Sequence, residues 1–140
     1  TMLNTYPTEK QANDIQQLRL KLEHFEKILN ERVKNALVGI PNIEGFDFVF
    51  VKEIIRCEGL QKCTRIITTS KTDIISSYNI GEFRKLLEPY HFFSPHKSHL
   101  INLAFIKKYK REGTILLQDN SSIPVSKRKK NEFLELVIHL

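Results

Sequence analysis

At 140 residues the chain has room for one domain plus an extension, with a core that needs no disulfide staples. The net charge is +6, but positions 1–45 carry six charges of each sign, which leaves 16 basic against 10 acidic residues in positions 46–140. A positive field confined to one part suits a nucleic acid or an anionic membrane face; no apolar stretch nears the roughly 18–20 residues of a bilayer span and no signal peptide opens the chain, so a soluble, cytoplasmic protein is expected.

Residues 1–7 read as a frayed start. A helix is predicted after Pro7, with Thr8 and Gln11 at the spacing of a capping box. Ile15, Leu18, Leu22, Phe25 and Leu29 then step by three and four, a seam that fits either a coiled coil or a helix laid on a domain; Arg32 interrupts it. Gly39 and Pro41 are expected to stop the helix. From Thr8 to Leu37 it would be roughly 45 Å long at 1.5 Å per residue, more than a small β-domain needs as a lid, which favours a signalling or dimerisation helix. The chain therefore divides into a linker helix, 1–41, and a domain, 42–140.

Asn42-Ile-Glu-Gly45 turns into strands. Alternation puts Phe46, Phe48 and Phe50 on one face of the first, and most aromatics of the chain fall in core-like patterns. Ile54–Cys57 follows, then a tip at Gly59–Lys62 and a β-branched hairpin, Thr64–Thr69 with Ile74–Ser77, turning through Ser70–Asp73. Asn79 caps a short helix closed by Glu82 three residues on; Ile80, Phe83 and Leu87 share its face and Pro89 stops it. Such a helix must dock on a sheet to be stable.

The run from Tyr90 to Ile106, YHFFSPHKSHLINLAFI, sets a polar insert, His96-Lys97-Ser98-His99, inside dense apolar sequence. Ile106–Arg111, Thr114–Gln118 and Ser122–Val125 are short strands at hairpin spacing, so the core is expected to be antiparallel and mainly β, with no Gly-rich phosphate loop. Ser126 reads as the N-cap of a closing helix whose apolar face is Phe133, Leu134, Leu136 and Val137. Its first turn is Lys127-Arg-Lys-Lys130, four cations at the positive end of a helix dipole, which costs up to about 0.3–1 kcal/mol per charge and makes sense if an anion binds there.

The Tyr90–Ile106 run, taken with Ile123-Pro-Val-Ser-Lys-Arg-Lys-Lys130, resembles the LytTR family of bacterial DNA-binding domains: an aromatic pair, His-Lys/Arg-Ser, an apolar Asn-containing strand, then Ile/Leu-Pro-Val-Ser into a basic segment. The resemblance covers about Phe46 to Leu140. It implies an elongated antiparallel β-fold with short helices that reads the major groove of double-stranded DNA through loops, typically on paired repeats as a homodimer. It also implies a place as the output part of a two-component response regulator, downstream of a receiver domain or sensor kinase, although no receiver pattern is present here. Matching positions for DNA contact are Gln61, Lys62 and Thr64 at the tip, His96 and Lys97 in the insert, and Lys127, Arg128 and Lys129 in the basic segment. Arg128 and Lys97 are the expected base readers, and Ser98, Lys107, Lys127 and Lys129 the expected phosphate contacts. Cys63 stands where the family often has Tyr. Asn102, inside an apolar strand, is expected to bond structurally.

Three other readings compete. A metal or catalytic centre from His91, His96 and His99 with Cys57 and Cys63 has no established spacing, and alternation along one strand would put His96 and His99 on opposite faces; neither cofactor nor catalysis is expected, and the cysteines read as packing or surface residues. A protein-interaction module would use the basic face for any polyanion. An RNA reader would want an aromatic platform.

Overall fold

The structure, a computed structural model, describes residues 6–70 and 72–140, and the side chains of 33 and 34 lie outside the description. Most of the frayed start and Lys71 of the Ser70–Asp73 turn therefore also lie outside it. Two compact units divide between Asn35 and Ala36.

The first unit is one helix, α1 (Glu9–Lys34), about 39 Å long at 1.5 Å per residue. The capping box forms in both directions: the Gln11 amide donates to Thr8 Oγ1 at 3.1 Å, and the Thr8 amide donates to Gln11 Oε1 at 2.9 Å. The apolar seam residues Ile15, Leu18, Leu22, Phe25 and Leu29 are all exposed.

The second unit begins where helix was expected to persist. Leu37–Asn42 forms a strand, β1, antiparallel to β2 (Gly45–Phe50). Gly39 and Pro41 are therefore strand residues and not a helix stop. Pro lies on a margin where its missing N–H costs no ladder bond, and Gly39 leaves room for the rings above it: a Cβ there would come within 3.0 Å of Phe48. Val38 and Ile40 face the core, while Phe46 and Phe48 on the other face stay 63% and 66% exposed, which corrects the expectation that the aromatics are mostly core.

Next come β3 (Ile54–Gly59), β4 (Thr64–Thr68), β5 (Ile74–Ser76), α2 (Ile80–Leu87), β6 (Phe92–His96) and β7 (His99–Asn102). The strands make a five-stranded antiparallel sheet in the order β5-β4-β3-β7-β6. A second sheet, β10-β9-β8, is built from β8 (Ile106–Lys110), β9 (Thr114–Leu117) and β10 (Ser122–Pro124). The closing helix α3 spans Lys127–Leu136.

Apolar doublets in the central strands explain how these layers stack. Successive strand residues point to opposite faces, so Ile54-Ile55, Phe92-Phe93 and Leu100-Ile101 each send one side chain to either side of the large sheet. Ile54, Phe92 and Leu100 join a core with Val38, Ile40, Ile66, Phe83 and Leu87. Ile55, Phe93 and Ile101 join another with Ile115, Leu117, Ile123 and Phe133. One sheet thus separates a core under α2 and the β1–β2 hairpin from a core under α3 and the small sheet.

Asn102 bonds structurally, as expected. It is buried, donates to the Ile54 carbonyl at 2.9 Å, and accepts from the Ala104 amide at 3.0 Å, tying β7 to β3 and to the helical turn that follows. Cys57 is a core residue whose thiol burial pushes up to about 12, and Cys63 is half-buried and free. Among the described residues no His, Cys, Asp or Glu cluster could hold a metal ion, and no helix is long and apolar enough to cross a membrane.

Candidate nucleic-acid interface

The polar insert turns out to be a hairpin tip. β6 and β7 are joined through Lys97-Ser98, and His96 pairs across from His99. Their rings consequently share a face, with centroids 5.7 Å apart. The opposite-faces expectation assumed one strand, and the two-residue turn reverses it.

Arg84 holds this tip in place. Its Nε donates to Ser94 Oγ at 2.7 Å and its Nη2 to the Lys97 carbonyl at 2.9 Å, while Ser94 Oγ donates onward to the His99 carbonyl at 2.9 Å. Sequence reasoning missed Arg84, although a signal existed. It lies four residues after Ile80 and three before Leu87, so a cation falls on the docking stripe of α2.

The start of α3 faces the same tip. The Ser126 amide donates to the Pro95 carbonyl at 2.9 Å, which ties the helix entrance to β6. Ser126 occupies the N-cap but its side chain makes no capping bond. The Lys129 amide turns back to the Ser126 carbonyl at 3.0 Å, so it is the Lys127 and Arg128 amides that are left for an external acceptor, next to added positive charge. Between tip and helix lies a cleft of about 330 Å³ lined by Arg84, Ser94, His96, Lys97, Ser126, Arg128 and Lys129.

The expected contact residues sort by position. His96, Lys97, Arg128 and Lys129 line the cleft. Ser98 shares the turn, and its carbonyl accepts from the Gly59 amide at 2.8 Å, which brings the β3–β4 tip bearing exposed Gln61 and Lys62 to the same end of the sheet. Lys62 takes a left-handed backbone, φ 68°, at that tip. Lys127 is exposed at the first position of α3 but outside the cleft lining. Lys107 is exposed at a bulge in β8, away from the cleft lining. Thr64 must be withdrawn: it is fully buried and its hydroxyl donates to the Tyr78 carbonyl at 2.7 Å, because β4 turns it inward.

Charge availability differs among the cations. Lys129 is engaged by Glu132 at 3.2 Å and lies 5.9 Å from the Phe93 ring centroid. Among the described residues, Lys97, Lys127 and Arg128 are in no ion pair. His99 is half-buried, and its Nδ1 meets no hydrogen-bond partner. Burial first, then the nearby Arg56 and His96 charges, lower its pKa from the usual 6.5 against the opposing pull of Glu58. The ring is therefore neutral in the fold while the unfolded chain takes up the proton as pH falls through about 6.5. Stability from this group is complete above that value and is lost on acidification toward the lower folded value. An imidazole NMR titration should place the His99 midpoint below 6.5, and His99→Gln should flatten the fall in Tm between pH 7 and 5.5.

A cationic cleft between a braced hairpin tip and a helix start without a side-chain cap, on an antiparallel β scaffold, suits an anionic partner such as a nucleic acid. Residues 44–138 match the family described as LytTr DNA-binding domain, and the chain belongs to that family. It is 30% identical over 109 residues to the transcriptional regulatory protein YpdB of Escherichia coli K12, and to the protein of the same name in Shigella flexneri. Those alignments cover 74% of this chain but 44% of the relatives, so the chain spans less than half of their length. A LytTr DNA-binding domain of known structure from Bacillus cereus shares the fold, with a TM-score of 0.60 at 23% identity over 71% of this chain and 94% of that one.

Proposed function

We propose that this protein is a sequence-specific transcription regulator that acts in the cytoplasm as the output part of a two-component system, reading the DNA major groove through its loops and binding paired repeats as a dimer. The observation that carries this reading is the cleft itself. Lys97 on a braced turn and Arg128 in the first turn of α3 project cations from two different elements, in no ion pair among the described residues, beside the Lys127 and Arg128 amides at the start of the helix. Such an arrangement suits one phosphate backbone gripped between neighbouring base contacts. Arg128 and Lys97 are the proposed base readers; Gln61, Lys62, His96, Ser98, Lys107, Lys127 and Lys129 are the proposed supporting contacts, with Lys129 reduced by its own ion pair.

Fluorescence anisotropy against a duplex chosen by library selection and against a scrambled duplex, over several salt concentrations, tests the proposal. Preference for the selected duplex by about 10³ or more is expected. Equal binding to both, with only the salt dependence of phosphate neutralisation, would replace it with a module whose basic face docks any polyanion.

A further inference from the structure

We infer that α1 pairs with α1 of a second copy as a parallel, in-register, two-stranded coiled coil whose orientation is set by Asp14, Arg19, Lys21 and Glu26. The inference rests on the dimeric part of the proposed function and on no DNA contact.

The seam assigns the heptad. Ile15, Leu22 and Leu29 take the a positions and Leu18, Phe25 and Arg32 the d positions. The five apolar members are between 43% and 60% exposed, a stripe that a lone chain leaves in water. In the first heptad Ile15 at a with Leu18 at d is the combination that favours two strands, while Leu22 and Leu29 fill the later a positions. With this register Asp14 and Lys21 fall at g, and Arg19 and Glu26 at e.

In a parallel pair each g residue faces the e residue five positions later on the partner helix. Asp14 then meets an arginine and Lys21 meets a glutamate, each twice by symmetry, so every charge flanking the seam at these positions has an opposite partner. Within one chain none of these four side chains is in an ion pair among the described residues. Their charges are free for the second copy. Antiparallel pairing instead sets e against e and g against g. One such register joins Arg19 to Glu26 but turns Lys21 toward Ile28, the next sets Lys21 on Lys21 and Arg19 on Arg19, and no antiparallel register pairs all four.

Orientation matters because a parallel coil delivers both DNA-binding domains at the same end, where paired repeats can be read together.

The test is sedimentation equilibrium of the full chain carrying Lys21→Glu, Glu26→Lys or both. Each single reversal places like charges across the parallel seam at two symmetric sites and should weaken dimerisation about tenfold. The double reversal should restore wild-type assembly, because the pair is merely exchanged. Failure of the double to restore overturns the parallel register, since Arg19 against a new lysine at 26 is the antiparallel signature. A wild-type chain that is monomeric or trimeric at tens of micromolar overturns the coil outright. As a second readout, Leu22→Cys in a Cys63→Ser background should cross-link to a disulfide dimer on air oxidation, and absence of that cross-link counts against the register. Binding to a single half-site duplex, measured on the same samples, should be unchanged by the reversals; loss of DNA binding with assembly intact would count against the regulator reading and leave the coil standing.

Discussion

Phe133→Ala should destabilise the DNA-binding domain by about 3–5 kcal/mol, the usual cost of deleting a buried aromatic, against a total stability of about 5–15 kcal/mol for an ordinary domain. Phe133 is 2% exposed, with its ring centroid 5.7 Å from Phe93 and 5.3 Å from Tyr109. These contacts attach α3 to a strand of each sheet, β6 and β8. Few other side chains reach inward from that helix, since Phe133 is its one buried residue. Urea unfolding monitored by far-ultraviolet circular dichroism checks the figure. A loss below about 1 kcal/mol would mean that α3 is not fixed by this ring. Because the cleft needs α3 docked, DNA affinity should fall before the sheet unfolds.

Arg128→Ala should remove about 1–3 kcal/mol of discrimination between selected and scrambled duplexes, the range for a bidentate arginine at a guanine edge. Lys127→Ala should behave differently. Removing a cation that only neutralises a phosphate lowers affinity for both duplexes alike and reduces the salt slope by about 0.9. Arg128 is exposed on the cleft and Lys127 lies outside its lining, so the contrast follows from their places on one helical turn. Anisotropy titrations of both variants against both duplexes read it directly. If Arg128→Ala weakens the two duplexes equally, Arg128 is a phosphate contact and base reading falls to Lys97.

Much of the local chemistry was legible where it was self-contained, although the Ser126 side chain expected to cap α3 makes no such bond. Both pairs, Thr8 with Gln11 and Asn79 with Glu82, sit three residues apart; the first closes in both directions, and in the second only the cap bond forms, the Glu82 amide donating to Asn79 Oδ1 at 3.2 Å. The tight turn at Lys97-Ser98 did not announce itself by residue type. What depended on a distant partner was not legible. Gly39 and Pro41 look like a helix stop until β2 is present to pair with them and to lay Phe46 and Phe48 over the glycine. Thr64 looks exposed until the Tyr78 carbonyl, 14 residues on, takes its hydroxyl. Within the candidate site, the basic segment and the histidine insert stood out by composition. Arg84 did not, because its role comes from bonds to Ser94 and Lys97 across the packing of α2 on the hairpin.

The doublets at Ile54-Ile55, Phe92-Phe93 and Leu100-Ile101 have a consequence for how the domain opens. Amide protons of β3 and β7 are bonded to neighbours on both edges and covered on both faces, so they exchange with solvent only when the whole domain unfolds. Strands at the margins, β1 and β10 among them, have no such double cover and exchange through smaller openings. A duplex held at the cleft would therefore add protection at the entrance of α3 and at the Lys97-Ser98 tip, a footprint at one end of a wall that itself stays silent.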